Sequence, residues 1–121
     1  MQEEDYIKRL IKAISEMIVG ISYGKDSVKS NIKFQNNDAV ISEDGLLKIM
    51  IRKYIIEGKL TEAENRIFDA MESNNSKQYY DVALWFYKEL NKWNEDKLLR
   101  CNFSKQKVIK GLENIKKYMK D

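Results

Sequence analysis

The stretch from Glu57 to Glu72, EGKLTEAENRIFDAME, constrains the fold more than any other part of the chain. Gly58 can end a helix in a left-handed conformation at no steric cost, and only Gly58, Lys59 and Leu60 precede the next amphipathic pattern. Two helices joined that tightly lie beside each other and antiparallel. Thr61, with Glu64 three residues later, has the spacing of a capping box, in which a hydroxyl and a carboxylate satisfy two N–H groups at a helix start. The spacing predicts a helix from Thr61 to Glu72. It carries Ala63, Ile67, Ala70 and Met71 on one stripe, and none of these side chains can perform a reaction.

The same periodicity runs along most of the chain. From Glu3 to Ile21 the apolar residues Tyr6, Ile7, Leu10, Ile11, Ile14, Met17, Ile18 and Ile21 recur every three or four positions, the mark of an amphipathic helix. Glu3, Glu4 and Asp5 suit its positive dipole end. The pattern dissolves over residues 23–41, a polar tether with isolated Val28, Ile32 and Phe34. Ser42 is the expected N-cap of a helix presenting Leu46, Leu47, Met50, Ile51, Tyr54 and Ile55 before Gly58. After the turn signal Ser73, Asn74, Asn75, Ser76, a helix from Gln78 to Lys92 carries the aromatic centre of the chain. Asn94 caps a short helical turn through Leu99, and Ser104 opens a last helix with Val108, Leu112, Ile115 and Met119. This gives an all-α fold of five longer helices and one short one. Three segments are expected: a separate N-terminal helix over 1–22, the tether over 23–41 and a helical domain over 42–121.

Composition narrows the function classes. With 121 residues the chain can bury one core without disulfides or metals, and the absence of proline favours long helices. The single cysteine, the lack of a charged-then-apolar leader and the charges interrupting every apolar run point to a cytoplasmic chain with no membrane span. The chain has no histidine, which removes the commonest general base and zinc ligand. Cys101, lying between Leu99 and Phe103 without a histidine to activate it, reads as packing. The acidic clusters Glu3–Asp5, Glu43–Asp44 and Glu62–Glu64 sit at helix starts, where the dipole alone accounts for them. No glycine-rich phosphate loop is present. A non-enzyme is expected, with no catalytic residue, cofactor or metal.

Two resemblances follow from these residues. Leu47, Met50, Tyr54, Gly58, Leu60, Ala63, Ile67 and Ala70 match the spacing of one tetratricopeptide repeat, without its tryptophan or closing proline. The resemblance implies antiparallel hairpins in a right-handed helical array. The segments DYIKRLI, GKLTEAENRIF, DVALWFYKELNKW and NFSKQKVIKGLENIKKYM together resemble an uncharacterised family of small bacterial domains of unknown function. That resemblance implies an all-helical cytoplasmic protein and no assigned activity.

The expected function is protein–protein interaction or scaffolding, with a partner peptide or helix held in a groove between the hairpin and the aromatic helix. Aromatics cannot all be hidden in a helix of this length in so small a protein, so Tyr54, Tyr80, Trp85, Tyr87 and Trp93 are the expected partner-binding residues. The first helix either completes the core or pairs with a second copy. The tether favours a homodimer through Tyr6, Leu10, Ile14, Met17 and Ile21. The alternative is weak binding of nucleic acid or an acidic surface. Residues 92–121 hold nine basic and four acidic side chains, among them Lys105, Lys107, Lys110, Lys116, Lys117 and Lys120. In projection these lysines spread round the helix, which makes a solvated face the simpler reading.

Overall fold

Helical periodicity is realised throughout the chain segments that the computed structural model describes, residues 2–22, 43–74 and 77–120. Six helices result: α1 (Gln2–Ser22), α2 (Glu43–Glu57), α3 (Leu60–Ser73), α4 (Lys77–Asn91), α5 (Glu95–Arg100) and α6 (Lys105–Lys120). There is no strand among the described residues. The expected tether over 23–41, the Ser42 cap and the turn residues Asn75 and Ser76 lie outside them.

The α2–α3 connection is the tight turn that the sequence requires. Gly58 has a φ of 77°, its N–H donates to the Ile55 carbonyl at 3.1 Å, and the Lys59 N–H donates to the Tyr54 carbonyl at 2.8 Å. These bonds satisfy carbonyls that the end of α2 would otherwise leave open. A Cβ at Gly58 would also stand 3.1 Å from the Cys101 sulfur, so the turn and the packing both call for glycine. The capping box does not form. α3 begins at Leu60, which is fully buried, so Thr61 is already inside the first turn, and Lys59 at the cap position makes no side-chain cap bond. Glu64 points instead toward α4. The other caps form as expected: Asn94 Oδ1 accepts from the Lys97 N–H at 2.8 Å, and Ser104 Oγ accepts from the Lys107 N–H at 3.1 Å. At the end of α5, Asn102 takes φ 59°, a conformation asparagine tolerates, while the Phe103 N–H bonds the Leu98 carbonyl.

α4 is the axis of the fold. It packs against α1, α2, α3 and α6, and its residues Tyr79, Tyr80, Val82, Ala83, Leu84, Phe86, Tyr87 and Leu90 are all buried. Gln78, Asp81 and Lys88 stay exposed on one face of α4, with Trp85 half-buried between them, and four helices cover the rest. Its aromatic rings interlock: Phe86 meets Tyr87 at 5.0 Å and Phe103 at 6.4 Å, both edge to face. In a tandem repeat array each unit touches only its neighbours. Here the first helix in the chain also packs on the last, so the bundle closes around α4.

α1 is part of this core and does not stand apart from it. Ile7, Leu10, Ile11, Ile14 and Ile18 are buried in the same cluster as the α3, α4 and α6 stripes. Polar contacts fix its N-terminal end against α6. Gln106 donates to Glu3 at 2.6 Å, the Tyr6 hydroxyl donates to Glu113 at 3.1 Å, and the Lys105 ammonium lies 3.6 Å from Glu4. Lys105 is itself only 4% exposed and donates to the Asn91 carbonyl at 2.9 Å, which joins the start of α6 to the end of α4 and to α1. A buried ammonium is tolerated because these partners replace its water.

Candidate functional site

The expected partner-binding aromatics do not form a groove. Tyr80 and Tyr87 are buried, because they lie on the faces of α4 that other helices cover, and the expectation that they reach a partner is corrected. Tyr54 is half-buried against the core. Trp85 is half-buried beneath two α2 cations, with the Lys48 ammonium 4.9 Å and the Arg52 guanidinium 5.6 Å from its ring centre. α2 thus lies over the face of α4 where the groove was expected. Trp93 is likewise covered, with the Lys97 ammonium 4.0 Å from its ring centre.

The expected dimer face is also used within the chain. Leu10 and Ile14 are buried by α4 and α6, Met17 is half-buried, and the Ile21 side chain lies outside those described. Tyr6 is 41% exposed, but its hydroxyl is bonded to Glu113. Among the described residues the stripe is covered in cis at Ile7, Leu10, Ile11, Ile14 and Ile18.

Two surfaces remain that packing does not explain. The first is the outer face of α2. Leu47 and Ile51 turn into the core, while Leu46, Ile49, Met50 and Ile56 are 53%, 56%, 40% and 80% exposed. At 100° per residue these four fall within one arc of about 120°, with Lys53 at its centre. The stripe leaves apolar surface open to water on a helix whose other face already serves the core.

The second is a cleft of about 600 Å³ between α3 and α6. Tyr87 of α4 lies beneath it, behind the lining residues Gly111 and Glu64. Its ring passes so close to Gly111 that a Cβ there would overlap it, and its hydroxyl donates to Glu64 Oε2 at 2.5 Å. Burial pushes the Glu64 carboxyl above the usual glutamate value, against the opposing pull of the Tyr87 hydrogen bond and of Lys107. Burial, followed by the neighbouring Glu64 carboxylate, holds the Tyr87 hydroxyl well above its ordinary value of 10.0, so it stays protonated as a donor. One wall carries Lys107, Lys110 and Lys117, and the far end is closed by Phe68 against Tyr118, ring centres 5.7 Å apart. The projection over the six lysines missed this grouping. Lys107, Lys110 and Lys117 lie within about 80° of one another on the helix, whereas Lys105 is buried on the opposite side.

Among the described residues no group of three acidic or thiol side chains is placed to hold a metal ion, and no helix is long and apolar enough to cross a membrane. Cys101 is half-buried and packs on the core beside Gly58.

The fold and its surfaces define an all-α domain closed around one central helix. The chain belongs to the family of unknown function DUF6483, whose match covers residues 1–120, as the sequence resemblance implied. No curated protein and no solved structure matches it.

Proposed function

We propose that the protein is a non-catalytic interaction domain that holds an acidic amphipathic helix of another protein along the outer face of α2. The observation that carries this reading is the exposed stripe Leu46, Ile49, Met50 and Ile56, on a helix whose opposite face already serves the core. Covering a half-exposed isoleucine or leucine contributes about 1 kcal/mol, so the four together supply the apolar part of a micromolar complex. The charges define the partner's polar residues. Lys53 in the stripe and Arg52 at its edge are exposed and basic, so a helix with apolar residues every three or four positions and a flanking Asp or Glu complements them.

The test is affinity capture from the native cell with the wild type and with Ile49→Glu/Ile56→Glu side by side. The expected result is a retained protein that the variant loses and whose acidic amphipathic segment, made as a peptide, binds the wild type alone. Equal retention by both chains refutes the reading. If the wild type retains only its own copies, the stripe is a self-association surface instead.

A further inference from the structure

We propose that the α3–α6 cleft is a binding site for a mononucleotide-class ligand, a phosphate monoester joined to a planar polar group. The site is independent of the α2 face and is built from a different chemistry.

Charge identifies the phosphate. Lys107, Lys110 and Lys117 stand on one wall, and among the described residues none of them has an ion-pair partner. Lys107 spends one N–H on the Asn102 carbonyl at 2.9 Å, its ammonium lies 5.7 Å from the Phe103 ring centre, and its charge acts on Glu64 across the cleft. The one carboxylate within the cleft, Glu64, has Oε2 occupied by the Tyr87 hydroxyl. Three ammonium groups beside one carboxylate leave the cleft with a net positive charge that favours a divalent anion.

Size and lining identify the rest of the ligand. A cleft of about 600 Å³ is far larger than a lone phosphate needs and lies in the range of small-molecule sites. Asn65 from α3 and Asn114 from α6 bring one amide from each wall, able to donate to and accept from a heterocycle edge. The Phe68–Tyr118 pair gives aromatic surface at the closed end, where the Tyr118 hydroxyl is held by Glu72 at 3.1 Å. Gly111 is the one residue of α6 whose missing side chain admits the Tyr87 ring, and the Tyr87–Glu64 bond joins α4 to α3 beneath the cleft.

The experiment is an NMR titration of the isotope-labelled full chain with AMP, GMP, CMP and UMP, with adenosine, inorganic phosphate and a twelve-residue oligodeoxythymidylate as separate arms. At least one mononucleotide is expected to shift the amides of both Thr61–Phe68 and Lys107–Tyr118. Lys110→Gln/Lys117→Gln should weaken its binding at least ~10-fold, with the exposed Lys88→Gln as an unaffected control. Both α6 lysines are exposed, and circular dichroism checks that the variant keeps its fold. Adenosine and inorganic phosphate should each bind at least ~10-fold more weakly than the preferred mononucleotide. The proposal is overturned by an absence of shifts with all four nucleotides, by unchanged affinity in the lysine variant, or by inorganic phosphate binding as tightly as the nucleotides. An oligonucleotide that binds ~10-fold more tightly than any mononucleotide overturns it as well, since that outcome makes the lysine wall a polyanion track.

Discussion

Replacing Gly111 by alanine distinguishes a packed floor under the cleft from an ordinary helix surface. In an unconstrained helix interior the change stabilises by about 1 kcal/mol, because alanine loses less backbone freedom. Here the new methyl would fall inside contact distance of Tyr87 Oη and Cζ, and 2.8 Å from Cε1. Tyr87 has no room to retreat, being fully buried and packed edge to face on Phe86. Overpacking costs about 1–3 kcal/mol, and displacing the hydroxyl from Glu64 costs about 1.5–3 kcal/mol more. Net of the propensity gain, Gly111→Ala should destabilise by about 1.5–5 kcal/mol, or lower Tm by about 6–20 °C for a chain of this size. Urea unfolding followed by far-UV circular dichroism gives the number. Tyr87→Phe, combined with Gly111→Ala, removes one of the overlapping atoms, so the double variant should fall short of the sum of the singles by at least about 1 kcal/mol. A Gly111→Ala protein as stable as the wild type, or more stable, would refute the packing described for the floor.

Three further outcomes follow from the same structure. Burial raises the folded-state pKa of Glu64 above the ordinary 4.5, so the folded chain binds more protons than the unfolded one between those values. Stability relative to Glu64→Gln should therefore fall as pH rises through that window, and urea midpoints of both proteins at pH 4 and pH 7 that keep a constant difference contradict this. Ile14→Ala, at a fully buried position in the α1 stripe, should cost about 2–4 kcal/mol while the wild-type Tm stays constant over a tenfold range of protein concentration. A Tm that climbs with concentration would restore the dimer. Lys105→Ala removes the contacts to Asn91 and Glu4 and should cost about 1–3 kcal/mol, with faster amide exchange in the first turns of α1. Unchanged exchange there would show that the lysine does not anchor α1.

The sequence reveals helices better than it reveals what their faces meet. Spacings of three and four located the five longer helices, because such a stripe records that a face is covered, and the Asn94 cap located the short α5. It does not record what covers it, and the α1 stripe that suits a dimer is buried by α4 and α6. The argument from small size that some aromatics are partly exposed holds for Trp85 and Trp93 and fails for Tyr80 and Tyr87, which lie on the faces of α4 that other helices cover while Gln78, Asp81 and Lys88 stay exposed. The Thr61–Glu64 spacing misleads for a tertiary reason: burial of Leu60 starts the helix one residue early, and Tyr87 takes the carboxylate. Ile49 and Ile56 lay outside the stripe expected for α2, although their angular separation from Leu47 and Ile51 was available as a sign of two apolar faces. The cleft was beyond reach, since it depends on where α3 and α6 stand around α4.

Hydrogen exchange of α2, measured with and without the partner that the wild type captures, tests the interaction reading most directly. Docking on the outer face should slow exchange of the amides from Leu46 to Ile56, and Ile49→Glu/Ile56→Glu should abolish that protection while shifting stability by no more than about 0.5 kcal/mol. Protection elsewhere with α2 unchanged, or protection that survives the double substitution, would contradict the assignment of this face.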